Sequence, residues 1–137
     1  MLFDMLRTTN SSIKEMWLNN NRQINDECIK SLGEYIKYNK SIEVISLNSN
    51  KISDAGIEIL APYLDGNTTF KELDLNYNKG ITDKSIPLLL KMIESSHIEN
   101  MDIRGTSITQ ENIIDICISL AWNTFKYGST KLDLSYR

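Results

Sequence analysis

The sequence predicts an α/β solenoid, in which short parallel strands alternate with helices around one continuous core. Two observations support this fold class. A strand-like phrase recurs at a regular interval along the chain, and a helix-like apolar pattern follows each copy. Self-similarity at an interval of roughly 20–50 residues is typical of repeat proteins, whose units stack in a line because none can bury its apolar face alone.

The strand-like phrase has apolar residues at its first, fourth and sixth positions and, in three copies, asparagine at its ninth. Its copies begin at Ile13, Ile42, Phe70 and Ile98. In the fourth copy Thr106 replaces the asparagine. The closing LDLSYR fits a fifth copy, with Leu132 and Leu134 at the two inward positions. We therefore predict one strand per repeat, with its apolar side chains pointing into the core.

The second half of each repeat predicts a helix. It opens with an isoleucine, namely Ile24, Ile52, Ile81 and Ile108 in successive repeats. The residues five, eight and twelve positions later are apolar, a spacing that forms one face of a helix. A side-chain oxygen next to each isoleucine can accept a hydrogen bond from the first helical turn, at Asn25, Ser53, Thr82 and Thr109. Pro62 and Pro87 fall within the predicted helices, where we expect local bending.

The pattern is complete in residues 42–64, IEVISLNSNKISDAGIEILAPYL. With such repeats along nearly its whole length, the chain resembles the leucine-rich-repeat family. The likeness is to the ribonuclease-inhibitor-like class, which includes NOD-like receptors and tropomodulin-type proteins and has repeats of about 28–29 residues. It implies a right-handed superhelix with a curved parallel sheet on the concave face and helices on the convex face. Asn21, Asn50 and Asn78 would then be structural, bonding backbone groups of neighbouring turns.

We expect a single domain over residues 1–137, since the length and the 41% apolar content suit one core. Residues 1–12 are expected to form an N-terminal helix or cap, repeats to begin near residues 13, 42, 70 and 98, and a partial fifth repeat to cover residues 129–137. That fifth strand would have an unpaired edge. Either the chain is a fragment of a longer protein, or residues 131–137 pair with the same strand of a second molecule in a homodimer.

Composition disfavours several classes of partner. The net charge is −3 and no basic tract occurs, so we expect no nucleic-acid partner. The longest apolar runs fall short of the roughly 18–20 residues that span a bilayer, so we expect no membrane association. The opening MLFDMLRTTN lacks the basic lead-in of a signal peptide. These features predict a cytoplasmic location, where two free cysteines remain reduced.

The residues that usually carry chemistry are scarce. His97 is the single histidine and no Cys-x-x-Cys occurs, so we expect no metal site, no cofactor and no catalytic residue. We expect His97 to lie in solvent at the start of a strand. Cys28 and Cys117 occupy registers that hold mostly small residues in other repeats, which favours a packing role over reactivity. The protein is therefore not expected to be an enzyme.

Candidate binding residues occupy the outward positions of the strands and the turns that follow. Between the two inward residues stand Trp17, Ser46, Asp74, Asp102 and Asp133 in successive repeats. The resemblance places these positions on the concave face, which is largely acidic and amide-bearing. The candidate partner-binding set is Trp17, Asn19, Ser46, Asn48, Glu72, Asp74, Asn76, Tyr77, Asp102, Arg104, Asp133 and Tyr136.

Three interpretations of this face compete. It can be a solvated polar surface, or a binding surface in which exposed aromatic residues act as anchors. It can also be a catalytic or cation site, because carboxylates on strands about 4.8 Å apart raise one another's pKa. No nucleophile, base or phosphate-binding loop accompanies them. Trp17 favours binding, because an outward tryptophan leaves a large apolar surface in water unless a partner, or the N-terminal segment, covers it.

We therefore predict a non-catalytic module that binds a protein partner, with a basic complementary surface, through the concave face. Relatives in the same repeat class suggest two different functions. One is that of a tropomodulin-like actin-capping domain, and the other is that of a regulator of a small GTPase similar to Ran GTPase-activating proteins. The chain can also be a structural fragment of a longer leucine-rich-repeat protein.

Overall fold

The computed structural model describes residues 12–127. Residues 1–11 and 128–137 lie outside the described part, and with them nearly all of the predicted N-terminal cap and the predicted fifth strand. The candidate residues Asp133 and Tyr136 lie outside it as well.

Strands and helices alternate along the described chain. In order they are β1 (Glu15–Trp17), α1 (Asp26–Tyr38), β2 (Val44–Ser46), α2 (Asp54–Leu64), β3 (Glu72–Asp74), α3 (Ile86–Ser95), β4 (Asn100–Asp102) and α4 (Gln110–Tyr127). A 3-10 turn, Asp83–Ser85, leads directly into α3. The strands form one parallel sheet in the order β1, β2, β3, β4. This architecture confirms the predicted α/β solenoid.

The core lies between the sheet and the helices. Met16, Ile45, Leu73 and Met101 stand level across the sheet, and all four are buried. The helical positions predicted to face them are buried too: Ile29, Leu32, Ile36, Ile57, Leu60, Leu64, Ile86, Leu89, Ile93, Ile116 and Leu120. Ile113 is only half-buried, because α4 is the last helix of the described array. Stacking therefore completes the burial that one repeat leaves open.

The predicted start signals cap the helices as expected in the first two repeats. Asn25 Oδ1 accepts a hydrogen bond from the Glu27 N–H at 3.1 Å, and Ser53 Oγ accepts one from the Ala55 N–H at 3.3 Å. In the third repeat Thr82 caps the 3-10 turn instead of an α-helix. Each cap pairs one of the backbone N–H groups that a helix leaves unbonded at its start.

The two prolines behave differently. Pro62 lies inside α2, as predicted. Pro87 lies in α3 as predicted, but the expected loss of a hydrogen bond with local bending is wrong, because the 3-10 turn shifts the start of α3 to Ile86. Pro87 thus occupies the first helical turn, where no hydrogen bond is lost and the fixed φ of proline suits the helix.

An asparagine ladder holds the turns that follow the strands. Asn50 Nδ2 donates to the Leu18 carbonyl at 2.9 Å and to the Leu47 carbonyl at 2.8 Å, joining two repeats. Asn78 Nδ2 donates in the same way to the carbonyls of Leu47 and Leu75, both at 3.0 Å. Each asparagine thus reaches back to the preceding repeat. The structural role predicted for Asn50 and Asn78 agrees with these contacts.

A second ladder, made of aspartates, was not predicted. Asp26 accepts hydrogen bonds from the backbone N–H of Ser53 at 2.8 Å and from its hydroxyl at 2.5 Å. Asp54 binds Thr82 in the same manner, at 2.8 and 2.7 Å, and also accepts from Ser85 Oγ. Each aspartate opens one helix and holds the start of the next. The sequence contains a signal for this aspartate ladder, since an aspartate follows the capping residue in three consecutive repeats.

Candidate functional site

The concave face is the side of the sheet turned away from the helices, and two aromatic side chains dominate it. Trp17 at the end of β1 is 60% exposed, and Tyr77 in the turn after β3 is 58% exposed. Trp17 Nε1 donates to the Glu15 carboxylate at 3.2 Å, which leaves most of the ring accessible. The outward placement predicted for both aromatics thus agrees with the structure.

The expected exposure is wrong for Ser46 and Asn76, since both are buried. Ser46 Oγ lies 2.5 Å from Asn19 Oδ1 and 2.6 Å from Asp74 Oδ2. A serine hydroxyl has one hydrogen and can donate to one of them, so we assign that donation to the Asp74 carboxylate. We therefore assign the Asn19 amide in the flipped orientation, in which its NH2 group donates to Ser46 Oγ. Side chains of three successive repeats therefore form one chain of hydrogen bonds.

The buried Asn76 continues this network toward the fourth repeat. Its backbone N–H donates to Asp74 Oδ1 at 2.9 Å, and its side chain hydrogen-bonds the Asp102 carboxylate. The side-chain oxygen Oδ1 of Asn76 is buried and has no hydrogen-bond partner among residues 12–127. Asn76 therefore orders the two carboxylates rather than offering a contact of its own.

Asp102 forms an ion pair with Arg104 two residues later. Arg104 Nε lies 2.9 Å from Asp102 Oδ1 and 3.0 Å from Oδ2, and Nη2 also bonds Oδ2. Burial alone raises the pKa of Asp102, but the hydrogen bonds from Arg104 and Asn76 and the guanidinium charge hold it below its ordinary value. The predicted mutual raising of carboxylate pKa values is therefore wrong for Asp102.

Tyr77 is positioned by the turn that carries it. The backbone φ of Tyr77 is +56°, which lies in the left-handed region. Asn20 and Ser49, at the same register of the first two repeats, also have φ values in this region. In the fourth repeat this register holds Gly105, where an added Cβ would stand 2.4 Å from the Tyr77 ring. The ring therefore lies against the glycine backbone and keeps its other face open.

The remaining candidates are less prominent. Asn48 is half-buried, with its Oδ1 accepting from Ser49 Oγ at 2.5 Å, and Glu72 is half-buried at the start of β3. Glu43, beside the candidate set, lies between Lys14 at 4.0 Å and Lys71 at 3.9 Å. Basic side chains of the protein itself thus balance Asp102 and Glu43, and the concave face is less acidic near these two residues than the sequence indicates.

His97 differs from its predicted solvated position. It is half-buried, and its ring stacks on Tyr127 with the centroids 3.7 Å apart. Cys28 and Cys117 are free and half-buried, and burial raises the pKa of the Cys117 thiol. Within the described part of the chain, no group of three or more His, Cys, Asp or Glu side chains could hold a metal ion. No helix between residues 12 and 127 has the length and apolar character that crossing a membrane requires.

An apolar stripe on α4 was missed by the sequence reasoning. It consists of Ile114, Ile118, Trp122 and Phe125, all exposed, with Phe125 80% exposed. Their spacing places them on one helical face, a signal that was present in the sequence. In α1 to α3, the registers of Ile114 and Ile118 hold mainly charged residues or proline: Lys30, Glu34, Glu58, Pro62, Pro87 and Lys91. The last described helix therefore differs in surface chemistry from the others.

Comparisons with known proteins agree with this geometry. The family model described as "Leucine Rich repeat" matches residues 38–61 and 66–86. The chain therefore contains leucine-rich repeats. The matched stretches lie mainly in the second and third repeats, where the asparagine ladder is complete. Among curated proteins, none matches this leucine-rich-repeat protein with statistical significance.

Two solved structures share its fold. A structure titled "Leiomodin-1 Actin-Binding Site 2 (ABS2)" matches with a TM-score of 0.71 and 19% identity, covering 89% of this chain and 72% of that one. The tropomodulin C-terminal domain of Caenorhabditis elegans matches with a TM-score of 0.57 and 18% identity, covering 92% and 93% of the two chains. At such low identity the likeness establishes the leucine-rich-repeat fold that the tropomodulin-type resemblance implies.

Proposed function

We propose that this leucine-rich-repeat protein is a non-catalytic module that binds a protein partner through its concave face. The observation that supports the proposal most directly is the exposure of Trp17 and Tyr77 on that face. Aromatic side chains held among fixed polar groups are typical anchors of protein interfaces, because each buries a large area at little entropic cost.

The polar network supports the same proposal. Ser46, Asp74, Asn76 and Asp102 are bonded across repeats, so the surface between the aromatics is fixed before a partner arrives. A fixed surface loses little conformational freedom on binding. Glu15, Glu72 and Asp74 supply the carboxylates for a partner with a basic surface. We infer that such attraction acts mainly on the rate of association and weakens with salt.

A matched pair of variants tests the proposal. Trp17→Ala combined with Tyr77→Ala is expected to reduce partner recovery at least tenfold in a pull-down, followed by mass spectrometry, from the cells that make the protein. Tyr38→Ala is the control, because Tyr38 is also 58% exposed but lies on α1 at the helical surface. Equal recovery with all three proteins, each with an unchanged circular dichroism spectrum, would contradict binding at the concave face.

Actin is a second candidate partner, favoured by the likeness to a structure whose title names an actin-binding site. We propose a direct test by co-sedimentation of the purified chain with filamentous actin and by elongation assays at filament ends. Saturable binding that the double aromatic variant loses would assign actin to the concave face. Binding that survives in this variant would assign actin to another surface.

GTPase regulation and a purely structural role have simpler tests. Regulation of a small GTPase, in the manner of Ran GTPase-activating proteins, requires faster GTP hydrolysis when the chain is added to purified GTPases. A structural fragment without a partner predicts no specific recovery in any of these experiments. The two free cysteines favour a reducing compartment, and we propose a cytoplasmic location that fluorescence microscopy of the tagged protein checks.

A further inference from the structure

The apolar stripe of α4 (Ile114, Ile118, Trp122 and Phe125) lies on the outer side of the helix layer, where stacking of repeats gives little cover. In α2 and α3 a following helix packs alongside, yet the residues at the registers of Ile114 and Ile118 stay exposed. These residues are Glu58 and Pro62 in α2 and Pro87 and Lys91 in α3. A further repeat beside α4 would therefore leave most of the stripe in water, so the stripe indicates a different contact.

The spacing of apolar residues along α4 is typical of a seam between two paired helices. Ile114, Ile118, Ala121 and Phe125 follow one another at intervals of four, three and four residues. This is the spacing of the apolar positions in a coiled coil. The small side chain of Ala121 in the middle lets a second helix approach closely. A helix with the same spacing complements this seam, and α4 of a second copy is such a helix.

Two charged residues beside the seam favour an antiparallel pair. Asp115 and Lys126 are exposed and lie on the flank that carries Trp122. They are eleven residues apart, about 16 Å along the helix, so they cannot bond each other within one chain. In an antiparallel pair with Ile118 level with Ala121 of the partner subunit, Asp115 lies about 3 Å along the axis from the level of Lys126 of the partner subunit. A parallel pair would instead bring like charges together.

We propose that the stripe is the interface of a homodimer in which α4 packs antiparallel against α4 of a second copy. Trp122 is 62% exposed and Phe125 is 80% exposed. With the two isoleucines, they offer about 300–500 Å² of apolar surface per copy. Two copies bury about 600–1,000 Å², near the lower limit of specific interfaces, so we expect a dimer that forms at micromolar concentration. The concave face lies on the other side of the sheet and stays open in this dimer.

Light scattering over a range of concentrations tests the proposal on the full chain. The natural chain is expected to reach twice its monomer mass as concentration rises. Trp122→Asp is expected to raise the dissociation constant of the dimer by about tenfold or more, because it places a charge in the apolar interface. Tyr38→Asp is the matched control, since Tyr38 has the same register in α1 and is 58% exposed. It is expected to leave the dissociation constant unchanged.

Charge reversal tests the antiparallel arrangement. Asp115→Lys alone, or Lys126→Asp alone, is expected to raise the dissociation constant about tenfold, because each variant sets like charges against each other twice in the dimer. The two changes together are expected to restore the natural value. Such restoration requires a contact between two copies, because the residues are too far apart within one chain. Both residues are exposed, so these variants provide the measurement if Trp122→Asp does not fold.

Three outcomes would overturn the proposal. A natural chain that stays monomeric at millimolar concentration would leave the stripe to residues 128–137 or to a different protein. A dimer that Trp122→Asp does not weaken would assign self-association to another surface. A doubly reversed variant that dimerises no better than the single ones would exclude the antiparallel arrangement. Trp17→Ala with Tyr77→Ala is expected to leave the dimer intact, so failure of binding at the concave face is distinguishable from failure of the dimer.

Discussion

The inner and the outer repeats of the described array differ in how their turns are held. In the inner repeats, Asn50 and Asn78 are buried and bond backbone carbonyls of two repeats at once. In the outer repeats, Asn21 is exposed, and Thr106 donates to the Ile103 carbonyl of its own turn. One sequence register thus serves two different physical roles. The difference teaches that position within the stack, as well as residue type, decides what a repeat residue contributes.

Core truncation is expected to give the largest contrast between the two regions. Ile57 in α2 is fully buried, whereas Ile113 at the same register of α4 is half-buried. Ile57→Ala is expected to lower the free energy of unfolding by about 2–5 kcal/mol, and Ile113→Ala by about 1–2 kcal/mol. Urea unfolding followed by circular dichroism measures both. Equal losses would show that α4 is as well packed as α2.

The asparagine ladder provides the second contrast. Asn78→Ala leaves the Leu75 carbonyl and the Ile52 N–H without the side-chain partner that each has now, while the Leu47 carbonyl keeps its bond from Asn50. We expect a loss of about 2–4 kcal/mol, since buried groups remain unpaired. Asn21→Ala, at an exposed position, is expected to change stability by less than about 0.5 kcal/mol. Comparable values from urea unfolding would contradict a stacking-dependent role for this register.

The aspartate ladder gives a smaller effect with a distinctive pH dependence. Burial alone raises the pKa of Asp54, but hydrogen bonds from Ser85 and Thr82 and the nearby Lys84 charge lower it below its ordinary value. Such a group stabilises the fold above the unfolded pKa of roughly 3.9, and the contribution disappears as pH falls through the folded pKa. Asp54→Ala is therefore expected to cost about 1–2 kcal/mol at pH 7.

Acid titration of stability checks this prediction. The difference between the natural chain and Asp54→Ala should shrink as the pH drops below about 4, while Glu58→Ala should be close to neutral at every pH. Glu58 is the matched control because it lies exposed on the same helix. A difference that stays constant from pH 7 to pH 3 would exclude a contribution from the Asp54 carboxylate.

The smallest expected effect is a gain. Thr106→Asn gives the fourth repeat the residue that occupies this register in the first three, and its longer side chain is expected to reach the Leu75 carbonyl. We expect stabilisation of about 0.5–1 kcal/mol from one added hydrogen bond. Thermal unfolding measures the gain. A loss of stability would mean that the turn after β4, with Gly105 at a φ of +68°, cannot accept the asparagine geometry.

The repeat interval allowed most of the fold to be predicted, because strand and helix patterns at a fixed spacing can be read residue by residue. Pro87 shows where this reading fails. The pattern treats all four helices alike, but the 3-10 turn delays the start of α3. A local adjustment of the backbone by one turn leaves the apolar spacing unchanged, so nothing in that spacing reveals it.

The candidate site was less predictable than the fold. Trp17 was identified correctly as an outward residue because side chains alternate along a strand, and Tyr77 because it stands at the register of the turn that follows each strand. The burial of Ser46 and Asn76 was not predicted, since it depends on the side chains of Asn19, Asp74 and Asp102 in neighbouring repeats. Likewise, the acidic row suggested repelling carboxylates, whereas Arg104 compensates Asp102.

The sequence by itself determined the solenoid, its core positions and its helix caps, because each depends on spacing along one chain segment. Tertiary structure alone decided which polar residues are exposed, which carboxylates are paired, and which asparagines bond two repeats. Residues 27–32 positions apart meet only after stacking, as the bonds between Asp26 and Ser53 and between Asn50 and Leu18 illustrate. The repeat pattern marks the registers of these residues, but which of them bond across repeats follows from the stacked geometry.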